Sequence, residues 1–94
     1  MNHTPFEERK RIYVAAQQKF GADHQVLKAT EELGEAIVEI AKALAGESNR
    51  EHLAEELADA TIMIEQLRQI FNINESVLTW MDYKLAALKR KVEK

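Results

Sequence analysis

The chain has 94 residues, 46% hydrophobic and 31% charged, with a net charge of −3, no cysteine, one proline and three glycines. A chain this short makes one domain, 1–94, with a core small enough that self-association is a natural way to complete it. Without cysteine there are no disulfide staples, thiolate zinc sites or thiol nucleophiles, no apolar run reaches the roughly 18–20 residues of a membrane span, and Met1–Pro5 lacks the order of a signal peptide, so a soluble cytoplasmic protein is expected.

Thr4-Pro5-Phe6-Glu7 pairs a capping threonine with a first-turn proline and a glutamate that can complete a capping box, which predicts a first helix over about Pro5–Lys19. Gly21 stops it and Asp23 can cap a second helix, which runs to about Ala45 before Gly46. Ser48-Asn49-Arg50-Glu51 reads as another capping box, opening a third helix that ends near Asn72. A fourth takes about Glu75–Val92.

Apolar spacing supports these helices. Val26, Thr30, Leu33, Ile37, Ile40 and Leu44 keep the four-three alternation of one helix face, as do Leu53, Leu57, Ala60, Ile64, Leu67 and Phe71. Leu78, Met81, Leu85, Leu88 and Val92 form a stripe on the fourth helix. No stretch alternates with the period of a strand. The fold expected is an all-α four-helix bundle whose central pair is an antiparallel hairpin, because short loops join antiparallel neighbours.

Charge is distributed unevenly. Between Asp23 and Glu65 eleven carboxylates face only Lys28, Lys42 and Arg50, whereas both flanks are net positive. An acidic middle argues against a duplex nucleic-acid surface and points to cations.

Two acid pairs carry that argument, Glu32 with Glu35 and Glu56 with Asp59, each three residues apart and therefore on one helix face. They sit about eleven residues before and ten after Gly46, so a hairpin would bring them to the same height. Glutamates opposite an apolar stripe are usually only a solvated surface. Here His52, Glu56, Asp59, Met63, Gln66 and Ile70 share one row that turns apolar along its length, which predicts partial burial of the acids. Acids buried together need a partner, and oxygen-only donors favour Mg²⁺, with Mn²⁺ as a substitute. None of His3, His24 and His52 follows a glutamate by three residues, which disfavours a ferritin-like di-iron site.

Glu31-Glu32-Xaa-Xaa-Glu35 followed by Glu56-Xaa-Xaa-Asp59 resembles the signature of MazG-like nucleoside triphosphate pyrophosphohydrolases. Gln25 to Thr30 and Lys84 to Arg90 are also similar to that family. The resemblance implies an oligomeric all-α bundle, a homodimer or homotetramer, that uses Mg²⁺ to split a (deoxy)nucleoside triphosphate into monophosphate and pyrophosphate, as in house-cleaning of the nucleotide pool. Carried over, it makes Glu32, Glu35, Glu56 and Asp59 metal ligands and Glu31 a further ligand or the residue that positions the attacking water. Gln25, Lys84 and Arg90 become substrate contacts, and Trp80 is a candidate for stacking on a base. One departure is Asp82, where members often carry an asparagine near the basic residues of the last helix.

Two alternatives remain open. Phosphoribosyl-ATP pyrophosphohydrolases share the acidic pattern, but they usually carry Tyr-His after the motif aspartate, where this chain has Ala60-Thr61. A non-catalytic helical oligomer or adaptor would use the acid rows only for solubility. Gly34, in mid-helix, could serve a close helix approach.

Overall fold

The computed structural model describes residues 2–94, and the described residues form four α-helices and no strand. They are α1 (Phe6–Phe20), α2 (Ala22–Leu44), α3 (Arg50–Ile70) and α4 (Asn74–Val92), each within two residues of its sequence-based expectation at either end. None is long and apolar enough to cross a membrane.

The stops follow the expected chemistry, and the starts do not. Gly21 and Gly46 take positive φ values of 93° and 75°, and Asn72 ends α3 at φ 53°, in the left-handed region that asparagine tolerates. No side chain caps α1, α2 or α4, so Thr4 and Asp23 do not play the roles expected of them. At α3 the cap is Asn49, whose Oδ1 accepts from the backbone N–H groups of Glu51 and His52. Ser48 is thereby freed for a different contact. Asn74 accepts from Arg68 Nε instead of capping α4.

The core lies between α2 and α3, and its make-up departs from the apolar stripes. Gln25, Ala29, Ala36 and Glu39 are the buried residues of α2, and Glu56, Ala60, Met63 and Gln66 those of α3. Small alanines let the two helices approach closely, so the polar and acidic residues of these rows are drawn in with them. The pairing runs from Gln25 on Gln66 to Glu39 on His52, so position numbers rise along one helix as they fall along the other. The apolar row of α2 faces outward instead, with Ile37 68% and Leu44 91% exposed, and Ile40, Leu57, Ile64 and Phe71 are exposed too. Gly34 needs no close neighbour, since a Cβ placed there meets nothing within 4 Å.

α1 lies on this pair through Tyr13, its one buried residue. α4 touches only α3, has no buried residue and makes no contact with α2. The result is open: the radius of gyration is 15.7 Å, against about 12 Å for a compact chain of this length.

Candidate metal centre

The acid rows of α2 and α3 converge. Glu32 and Glu35, one helical turn apart, each place a carboxylate oxygen within 4.8 Å of the other and of one from Glu56, which reaches across from α3. Glu56 is only 9% exposed, and its Oε2 is buried with no hydrogen-bond partner among the described residues. Burial pushes the Glu56 carboxyl pKa above its ordinary value, and the neighbouring Glu35 adds to the rise. Asp59 is raised for the same two kinds of reason, burial first and then the charge of Glu32. The site therefore favours whatever neutralises it.

Lys28 supplies part of that neutralisation, with Nζ 3.2 Å from Glu32 Oε1, a contact that also raises the Lys28 pKa. One half-exposed ammonium does not offset four carboxylates. An orphaned buried carboxylate oxygen beside those of Glu32 and Glu35 fits a hard divalent cation held by these three; Asp59 lies beside Glu32 but outside the converging oxygens, and His52, Glu55 and Glu56 form a second such group.

Sequence reasoning missed a support for this site. Glu39, one turn beyond Glu35, is buried; its Oε1 accepts from Ser48 Oγ at 2.5 Å and its Oε2 lies 3.4 Å from His52 Nε2. The same His52 nitrogen is 3.8 Å from Glu56 Oε1. A chain of contacts from the α2–α3 loop thus holds Glu56 from behind. The shared row of His52 and Glu56 was the signal available for half of it; the Ser48–Glu39 contact spans the loop and leaves no trace in helical spacing.

The remaining expected residues divide into two groups. Gln25 is buried and bonded to Gln66, at the end of a cleft that begins at Glu32 and Asp59. Glu31 is exposed and stands outside the converging oxygens, and Trp80, Lys84 and Arg90 are exposed on α4. Trp80 packs edge-on against Tyr83 with ring centres 5.8 Å apart, and Lys84 Nζ sits 5.9 Å from the Trp80 ring centre. Their groove is lined by Val77, Met81, Leu85 and Leu88 and by no carboxylate. Set against known proteins, the chain matches no family model, no curated protein and no solved structure.

Proposed function

We propose that the protein is a Mg²⁺-dependent nucleoside triphosphate pyrophosphohydrolase of the MazG-like kind, built on an antiparallel α2–α3 hairpin and active as an oligomer. The observation that carries this reading is the orphaned Glu56 Oε2 among the carboxylates of Glu32 and Glu35. Such an arrangement is costly unless a cation completes it. When bound, Mg²⁺ would draw the triphosphate oxygens into an otherwise repulsive cleft and stabilise charge on the phosphoryl group as it transfers.

The chain's own residues then have separable tasks. Glu32, Glu35, Glu56 and Asp59 hold the cation, and Glu39 with His52 fixes the carboxylate of Glu56. Lys28, already paired with Glu32, and Lys42, which lines the cleft beside Glu35 and Glu56, are the cations placed to meet an incoming phosphate. Glu31, or a ligand carboxylate, orients the attacking water.

Oligomerisation is supported by area. The chain exposes 7673 Å², whereas a compact monomer of 10.8 kDa exposes about 5,500 Å². The excess, about 2,100 Å², falls within the range a chain loses in an obligate homodimer. Lys84 and Arg90 are exposed on α4, which packs on α3 and not on α2, and a second copy offers a route by which they meet phosphate at the acid cleft.

Hydrolysis of nucleoside triphosphates with Mg²⁺ in ¹⁸O-labelled water tests the reading. Pyrophosphate should be released unlabelled and the monophosphate should carry the label, since attack falls on the α-phosphorus. Orthophosphate as first product would overturn the register of attack, and no turnover of any triphosphate would overturn the reaction and favour a non-catalytic helical oligomer.

A further inference from the structure

Glu32 and Asp59, on one side of the acid site, border a cleft of about 330 Å³ whose two ends differ in chemistry. At one end stand Glu32, Asp59 and Lys28. At the other stand Phe20, His24 and the amides of Gln25 and Gln66, and Ile62 and Met63 complete the lining. A cleft that is ionic at one end and aromatic and amide-lined at the other suits a ligand with the same division, and its size lies at the lower end of small-molecule sites.

The amides are the informative part. Gln25 and Gln66 are each only 7% exposed, which is unusual for neutral polar side chains and demands an ordered set of partners. Gln25 Oε1 lies 2.8 Å from His24 Nδ1, which donates to it when the ring is protonated at that nitrogen, and Gln25 Nε2 donates to Gln66 Oε1 at 2.9 Å. In that tautomer the chain of contacts sets which way the Gln66 amide points. Its Nε2 is left with no acceptor among the described residues, while its Oε1 keeps a second lone pair. A donor beside an acceptor on one planar amide matches a ring carbonyl next to a ring N–H. Phe20 and His24 stack with ring centres 5.5 Å apart at the same end, offering a flat face for a heterocycle.

We propose that this end of the cleft is a nucleobase subsite in which Gln66, oriented by Gln25 and His24, selects uracil, thymine or guanine over cytosine and adenine. The proposal rests on the nucleotide reading above. Uracil, thymine and guanine present a carbonyl beside a ring N–H; cytosine and adenine present an amino group beside an unprotonated ring nitrogen, so a base held in the same pose by its phosphate end would set donor against donor and acceptor against acceptor at Gln66.

Titration calorimetry with Mg²⁺ and the monophosphates of the five bases tests the subsite without turnover, and pyrophosphate release from the matching triphosphates runs in parallel. The expected result is binding at least about tenfold tighter for the uracil, thymine and guanine nucleotides, one decade being roughly 1.4 kcal/mol. Gln66→Glu keeps an acceptor for Gln25 Nε2 but lacks the N–H, so it should abolish the preference. Gln25→Leu, which unlocks the Gln66 amide, should blur the preference while every nucleotide still binds, and it serves if the first variant does not fold. Equal affinity for all five, or a preference that survives both variants, overturns the subsite. Pyrophosphate released from all five at the same rate and with equal affinity leaves the reaction standing and removes the subsite. A clear preference in binding without pyrophosphate release keeps the subsite and removes the reaction.

Discussion

The Tyr13 hydroxyl donates to Glu65 Oε1 across the contact between α1 and α3, and Arg9 grips the same carboxylate with Nε at 2.9 Å and Nη2 at 3.0 Å. Arg9 holds the Glu65 pKa below the usual carboxylate range, and burial, with Glu65 second, pushes the Tyr13 phenol up to about 12. The two groups act at opposite ends of the pH scale. Stability from Glu65 is present above its unfolded pKa of about 4.3 and is lost as pH falls through the depressed folded value. Stability from Tyr13 is complete below about pH 10 and is lost as pH rises towards the folded value. Tyr13→Phe should cost about 1 kcal/mol at neutral pH and flatten the alkaline side of the profile between about pH 10 and 12. Urea melts across pH check both, and an unchanged alkaline limb would contradict the role given to the phenol.

Neutralising a ligand should separate stability from activity. Glu35→Gln or Asp59→Asn should hold or raise the thermal stability of metal-free protein, because like charges are relieved. Millimolar Mg²⁺ should raise the melting temperature of the parent chain and raise that of the variants less. Turnover should fall at least tenfold, about 1.4 kcal/mol of barrier, and retention of more than that would remove the residue from the ligand set.

How far the sequence disclosed this site depends on which residue is asked about. The four helices were legible because Gly21, Gly46 and Asn72 punctuate them where positive φ is needed. The burial of Glu56 and Gln66 was legible from their shared row. The core was not, because an apolar stripe ordinarily marks the packed face, and here Ala29, Ala36 and Ala60 take that place while Ile37 and Leu44 stay outside. Those alanines carry little apolar signal, so periodicity alone points to the wrong face.

Ile37→Glu tests what that outward face is for. At an exposed site of a monomer such a change alters stability by no more than about 0.5 kcal/mol. In an assembly that buries the α2 row it should dissociate the protein, with the molar mass from light scattering falling to that of one chain. A parent chain that is already monomeric at micromolar concentration would refute the assembly.

Gly34→Ala addresses the middle of α2 directly. With open space where the alanine methyl would stand, the substitution should stabilise the helix by about 1 kcal/mol through reduced backbone freedom. Chemical denaturation reads the gain, and a loss accompanied by weaker self-association would place another backbone against this position.

Only Ala45–Asn49 separates α2 from α3, so the contacts from Glu39–His52 outward to Gln25–Gln66 can close one after another, like a zip drawn from the loop. Each successive closure costs little chain entropy. The α2–α3 pair should therefore form quickly and independently of concentration. Burial of the outward apolar rows needs an encounter between chains, so that phase of refolding should slow on dilution while the first does not. In a dilute chain the interval between the two is when Ile37, Ile40 and Leu44 are most open to mispairing with other exposed hydrophobic surfaces.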